Sequence, residues 1–431
     1  TLYRSSAASD VYKRQPVYIA LLAFTATMLW TPFAMAQQRV PLTIAEAEDL
    51  ARAGEPGQQA LIARAEARQE QAVAAGSLPD PVLRVGLANY PIGGGSFSTE
   101  GMTQAQLGLR QSFPRARAQG TARLRAEAEA FSRGADARGR DVLSAVRIAW
   151  LEAYYSQRAW MLVSESRPFF ADLVTITRSM YAVGRKTQYD VLRAELELSR
   201  LDDRLIEAER ARSEAQARLS RWLGKDAYRP VAMKLPGWDA PPSLEVLQAS
   251  LDAHPSIAAA RAGVTAQQAA VEIAEENKKP GWALDVGYGY REGFLPDGSP
   301  RSDFVSVSVS VDLPFFSKNR QDRKLAAALG SRRAAIASEA ELVARLSSEL
   351  DSEYARWSDL TRRLGLYETQ ILEQSKGQAQ AALLAYQSDT GDFSDVMRGY
   401  IDDLNTRIEH VRLQVQRAQS RVALANLGGL E

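Results

Sequence analysis

The chain states the same pattern twice, at a spacing of about 200 residues, far longer than a solenoid unit. Val85-Gly86-Leu87 returns as Val286-Gly287-Tyr288, and Pro79 returns as Pro280. Leu107, Leu109, Phe113 and Pro114 return as Val307, Val309, Leu313 and Pro314. Tyr181 stands nine residues before Asp190-Val191-Leu192, and Tyr386 stands nine before Asp395-Val396-Met397. The copies close alike, on Trp222-Leu223-Gly224 and Asn426-Leu427-Gly428. Two half-domains of one architecture are expected: 37–224 and 244–428, joined by a Pro-rich connector, 225–243, that carries Pro230, Pro236, Pro241 and Pro242.

Each copy contains two segments with a period of two. In 304–313, Val305, Val307, Val309, Val311 and Leu313 alternate with Ser306, Ser308, Ser310 and Asp312. In 282–290, Trp282, Leu284, Val286, Tyr288 and Tyr290 oppose Ala283, Asp285, Gly287 and Gly289. Segments 104–113 and 82–90 follow the same rule, with Gln104, Gln106, Arg110 and Ser112, and Arg84, on the polar side. Strands of about nine or ten residues match a tilted transmembrane strand with one face for lipid and one for water. A soluble sandwich alternates too, but no further β segment in this sequence could cover the apolar faces. Four strands cannot close a barrel, and open edges in lipid leave backbone groups unpaired at several kcal/mol each. Copies of the chain are therefore expected to join through their edges.

The rest reads as helix. From Arg115 to Val183 the pattern runs unbroken apart from Gly134, Gly139 and Pro168, which weaken or bend it. At 1.5 Å per residue such a helix extends roughly 100 Å. Shorter helices precede the first hairpin (Leu42–Gly76) and follow the Gly184-Arg185-Lys186 turn. The second copy gives helix Leu244–Asn277, a long helix to Tyr386 and a last helix to Asn426. Val191, Leu198, Leu205 and Leu219 recur every seven residues or multiples of seven, beside Ala194, Leu201, Ala208, Ala215 and Trp222. Ile401, Ile408, Val415 and Val422 do so beside Leu404, Val411, Ala418 and Ala425. These are coiled-coil seams, and their alanines allow close helix approach.

The 53 basic and 52 acidic side chains are interspersed, so no basic footprint for nucleic acid exists. The absence of cysteine removes disulfides, thiol nucleophiles and a lipid-bearing cysteine together. Pro16 to Ala36 is an apolar run behind Lys13 and Arg14, ending Ala34-Met35-Ala36, which reads as an export signal within 1–36. Residues 1–14, opening on Thr1, match nothing in the duplication and are read as non-native.

An exported, duplicated chain with two such hairpins and helices of this length resembles the TolC-like outer-membrane efflux proteins. The resemblance covers about Leu42 to Gly428. Its marks are Tyr181-Ala182-Val183-Gly184 followed by Asp190-Val191-Leu192, and the strand ends Gln111-Ser112-Phe113-Pro114 and Asp312-Leu313-Pro314. Leu78-Pro79-Asp80-Pro81 and Gly101-Met102-Thr103 look most like the branch that accompanies heavy-metal pumps of the RND type. The resemblance implies a mainly α fold with a membrane β-barrel portion: a homotrimer whose strands pool into a twelve-stranded barrel, continued by an α-helical periplasmic tunnel. It implies a Gram-negative outer membrane, and as partners a periplasmic adaptor (membrane fusion) protein and an inner-membrane RND-type pump. The connector would form an equatorial belt, and the Gly184 and Gly391 turns would be the periplasmic tips.

A passive conduit makes no bonds, and no catalytic set, cofactor loop or metal cluster emerges; Gly93-Gly94-Gly95 precedes no helix. His254, beside Pro255, and His410, beside Glu409 and Arg412, read as solvated or capping histidines. Asp190 and Asp395 are candidates for a periplasmic aperture ring, against helix capping or ion pairing with Arg193 and Arg398 three residues on. Those two arginines sit where some relatives carry a second carboxylate, which argues against a doubled acidic ring. Tyr181, Gly184, Arg185, Lys186, Thr187, Tyr386, Gly391 and Asp392 are the adaptor-contact candidates. Arg84, Arg110, Asp285 and Asp312 are expected to face the lumen. The competing reading, a periplasmic adaptor or structural coiled coil, leaves the hairpins unexplained.

Overall fold

The computed structural model describes residues 40–428. The expected signal segment and residues 429–431 lie outside the described residues. The first copy comprises α1 (Ile44–Ala53), α2 (Pro56–Gly76), β1 (Val82–Ala88), β2 (Gln104–Phe113), α3 (Arg117–Ala182) and α4 (Gln188–Leu223). The second comprises α5 (Leu244–Leu251), α6 (Pro255–Glu276), β3 (Gly281–Tyr290), β4 (Phe304–Asp312), α7 (Gln321–Leu366), α8 (Leu372–Gln387) and α9 (Phe393–Gly428).

The strands form one antiparallel sheet in chain order, β1-β2-β3-β4. β2 and β3 join the two copies, with Leu109 opposite Val286 and Arg110 opposite Asp285. Register carries the period-two pattern across all four strands, so Val85, Leu107, Tyr288 and Val305 form one row. Arg84, Gly108, Gly287 and Ser306 form a row on the opposite face. No described residue covers the apolar side: Val85 is 76% exposed and Val305 74%. β1 ends at Ala88, short of the expected Tyr90, because Asn89 turns to a left-handed φ of 55° and bonds the loop. Its amide donates to the Met102 carbonyl at 3.2 Å, and its own carbonyl accepts from the Thr103 hydroxyl at 2.8 Å.

Two differences appear in the helices. The second copy's opening helix is broken between Leu251 and Pro255 into α5 and α6, as Gly54-Glu55-Pro56 breaks the first copy's. The long helix of the second copy carries a π turn, Tyr367–Ile371, between α7 and α8, whereas α3 runs 66 residues through Pro168. α3 is the hub, packing against α1, α2, α4, α6 and α9, while α7 lies on α6 and α9. The seams are those of the heptads: Ala194, Leu201, Ala215 and Leu219 are buried on α4, and Leu404, Val411, Val415 and Val422 on α9.

Beside the middle of α3 the connector is pinned to Leu42, just before α1. The Leu42 amide donates to the Pro230 carbonyl at 2.8 Å, and the Ala232 amide to the Leu42 carbonyl at 3.0 Å. The Trp150 indole donates to that same Leu42 carbonyl at 3.0 Å. The Gln157 amide takes both backbone groups of Val231, at 3.1 and 3.0 Å. Arg229 forks onto Glu46 at 2.6 and 3.0 Å, a bidentate pair that holds the Glu46 carboxyl below its usual range.

The two helix breaks are capped by different chemistry. Glu55 caps α2 through its carboxylate, accepting from the Gln58 amide at 2.5 Å and from Arg138 at 2.8 Å. The Arg138 hydrogen bond is the main cause of the lowered Glu55 carboxyl. His254 caps α6, its Nδ1 accepting from the Ser256 amide at 3.2 Å. It is 5% exposed, and burial, then the charge of Arg140, lowers its pKa.

Two predictions follow from this packing. Gln157→Ala strips the buried backbone groups of Val231 of their partners, worth about 1–3 kcal/mol each; the urea midpoint should drop accordingly. A depressed folded-state pKa means that His254 stabilises fully above the ordinary histidine range and loses that contribution as pH falls through it. Asn at 254 keeps an N-cap without a titrating ring. The fall in unfolding midpoint on acidification through that range should therefore be shallower in His254→Asn.

Candidate functional site

Two places gather the residues singled out by the sequence: the turns joining α3 to α4 and α8 to α9, and the polar face of the sheet.

At the first turn, the Gly184 amide donates to the Tyr181 carbonyl and the Arg185 amide to the Met180 carbonyl, both at 2.9 Å. Gly184 sits at φ 73°, where a side chain is disfavoured. Thr187 then caps α4. Asp190 completes a capping box, its carboxylate accepting from the Thr187 amide at 3.0 Å and hydroxyl at 2.8 Å. Asp190 is thus engaged by Thr187, and Arg193 has no ion-pair partner among the described residues. At the second turn Asp395 pairs with Arg398 at 3.7 Å, both side chains being more than half exposed.

The left-handed position of the second turn belongs to Asp389, at φ 61°, and not to Gly391. Gly391 is required for a different reason: a β-carbon there would lie 2.9 Å from that of Ala385. Asp389 also links the two turns. Its carboxylate meets Lys186 at 3.2 Å and Arg185 at 3.8 Å, tying the two turns together. The Lys186 ammonium also lies 4.6 Å from the centre of the Tyr386 ring. Tyr386 is 1% exposed, packed edge-on to Phe393 at 5.6 Å. Its counterpart Tyr181 is exposed, as are Val183, Tyr189 and Leu192 beside it, while Met397, the repeat partner of Leu192, is buried. Asp392 is exposed at the start of α9. The duplicated positions have therefore diverged: one tip is sealed, and the other presents apolar surface of the kind that marks an interaction site.

On the sheet, Asp285 receives Arg84 at 3.2 Å and Arg110 at 3.9 Å, and Ser310 donates to it at 3.3 Å. At the base, Arg115 reaches Asp312 and the Asn277 carbonyl, each at 3.0 Å. These charged and hydroxyl groups share the face opposite the apolar rows. Among the described residues no cluster of three or more potential metal ligands occurs. No described helix is long and apolar enough to cross a membrane.

Residues 246–430 match the family model described as outer membrane efflux protein, and the first half repeats the architecture of that segment. Over that segment, somewhat less than half of its length, the chain is similar to the outer membrane efflux proteins. Protein CyaE of Bordetella pertussis is 27% identical over 325 residues, spanning 72% of this chain and 67% of CyaE. The outer membrane protein VceC of Vibrio cholerae shares the fold at a TM-score of 0.75 and 18% identity, over 90% of this chain and 97% of VceC. CusC, whose structures concern folding and transmembrane channel formation, aligns at a TM-score of 0.75 and 14% identity, over 93% of this chain and 95% of CusC.

Two outcomes are expected at the tips. Gly184→Val places a β-branched residue in the left-handed region, at about 1–2 kcal/mol of local strain. It should abolish efflux while export and assembly persist, as read by resistance assays beside membrane fractionation. Asp395→Asn should shift single-channel conductance or cation preference in planar bilayers; unaltered currents would assign Asp395 to helix-end pairing alone.

Proposed function

We propose that this chain is an outer membrane efflux protein, the outer-membrane channel subunit of a tripartite efflux system, passively conducting metal ions or small toxic compounds to the exterior. The observation that carries the proposal is the sheet: among the described residues its apolar face is uncovered, a polar face lies opposite, and the edges β1 and β4 are unpaired. In water that surface would aggregate. In lipid the face is satisfied, and the edges are satisfied once β4 of one copy pairs with β1 of the next. Three copies of four strands give a twelve-stranded closed barrel, and the duplicated helical halves, 37–224 and 244–428, stack around the same axis as a periplasmic tunnel.

In this arrangement Arg84, Arg110, Asp285 and Asp312 line the lumen, and the connector, 225–243, forms the equator. The turns at Gly184 and Gly391 lie at the periplasmic end, where Asp190 and Asp395 with Arg193 and Arg398 surround the aperture. The exposed Tyr181, Val183 and Tyr189 beside Gly184 and Arg185 suit a periplasmic adaptor, which would couple the channel to an inner-membrane RND-type pump. An export signal within 1–36 would deliver the chain. Conduction needs no catalysis; selection of cargo belongs to the pump upstream.

The test combines a null strain with reconstitution. Deleting the gene should sensitise cells to metals or toxic organic compounds, and the purified protein should give discrete currents in planar bilayers. A resistant null strain together with electrically silent bilayers would refute the proposal.

A further inference from the structure

The polar face of the sheet changes character at its base. Higher up, Asp285 stands between Arg84 and Arg110, with Ser306, Ser308 and Ser310 beside them. At the foot of the strands, where the sheet meets the start of α7, a cavity of about 510 Å³ opens on the same face. Arg110, Arg115, Arg320 and Lys324 line it, against one carboxylate, Asp312. Arg115 already holds Asp312 at 3.0 Å, so that carboxylate is spoken for. Asp322, the nearest acid along α7, is engaged by Lys278 at 2.7 Å and by the Ser317 hydroxyl at 3.1 Å. Arg320 and Lys324 are exposed and have no ion-pair partner among the described residues.

The cationic character is particular to the second copy's junction. Arg320 and Lys324 follow β4 by eight and twelve residues, on Phe315-Phe316-Ser317-Lys318-Asn319-Arg320-Gln321-Asp322-Arg323-Lys324. The first copy passes from β2 to α3 in three residues, Pro114-Arg115-Ala116, and both of its arginines there are occupied. Arg115 caps the carbonyl of Asn277 at 3.0 Å, and Arg117 that of Gly76 at 3.1 Å, at the ends of α6 and α2. The end of the longer second linker and the first turn of α7 therefore bring in two cationic groups, Arg320 and Lys324, without an ion-pair partner among the described residues.

We propose that this cavity is an anion-binding vestibule, repeated around the pore where the barrel meets the tunnel, which takes solutes bearing carboxylate, phosphate or sulfate groups and makes the open channel prefer anions. It rests on the conduit reading above and deepens it. Rings of like-charged side chains set the sign of ion that a pore admits, and clustered charge in a cleft focuses the field on passing solutes. Guanidinium groups add the fork that fits an oxyanion. A free divalent cation meets a barrier there, so metal would pass this point more readily when bound to an anionic ligand.

The experiment uses the full-length protein, purified in detergent and reconstituted in planar bilayers of zwitterionic lipid under a potassium chloride gradient. The reversal potential of the wild type should have the sign of anion preference. Arg320→Gln with Lys324→Gln should lower the chloride-to-potassium permeability ratio by about twofold or more. Arg320→Lys with Lys324→Arg, which retains both charges, should restore it. Inorganic sulfate should reduce the wild-type chloride current and do so less in the neutralised variant. A cation-preferring wild type whose reversal potential the neutral pair leaves unchanged would overturn the vestibule while leaving the conduit intact. So would loss of assembly in the neutral pair, which would reassign these residues to contacts between subunits. Failure of the wild type to give any current would instead overturn the conduit reading on which the vestibule rests.

Discussion

The unsatisfied sheet governs this molecule. Hydrophobic burial is worth about 25 cal/mol per Å², yet the row through Val85, Leu107, Tyr288 and Val305 stays about half to three-quarters exposed within one chain. The helices do the opposite. Trp150, Leu151, Leu219, Leu404 and Leu424 are fully enclosed, and one continuous cluster of buried side chains runs through α3, α4, α8 and α9. The chain thus encloses the middle of its helical part while leaving one face of its sheet exposed. In the proposed assembly that face lies against lipid, and the edges of β1 and β4 pair with neighbouring copies.

Duplication supplies the economy of this design and also its asymmetry. The two hairpins meet at the β2–β3 junction, so the sheet is continuous across the repeat. Elsewhere the copies have separated in chemistry while keeping geometry. A carboxylate caps α2 where an imidazole caps α6. Tyr181 is exposed where Tyr386 is sealed beneath Lys186. One β-to-helix junction is short and its arginines are consumed by helix ends; the other is long, and its Arg320 and Lys324 have no ion-pair partner among the described residues. Such pairs of equivalent positions point to where the halves serve different tasks.

Much of this was legible in the sequence because periodic burial writes periodic residues. The alternation in Val305 to Leu313 marked β4, and the seven-residue spacing of Ile401, Ile408, Val415 and Val422 marked the packed face of α9. What escaped was set by contacts between distant segments or by single backbone torsions. Asp389 is such a case, since only its φ of 61° and its meeting with Lys186 distinguish it from any turn aspartate. Gly391 drew attention for its residue type, although its role is steric room beside Ala385. Leu42 looked like the start of a helix; its bridge to Val231 depends on a residue far along the chain. The π turn at Tyr367–Ile371 has no local signature that sets it apart from the helices on either side.

The central claim is that the sheet is one part of a closed assembly in lipid. The most direct measurement is the protein mass of the detergent-extracted particle, by light scattering with refractive-index correction or by native mass spectrometry. The account predicts three chains per particle, each at most the 47.3 kDa of the full sequence, with no extraction in detergent-free buffer. A single chain that stays dispersed in detergent-free buffer would contradict it.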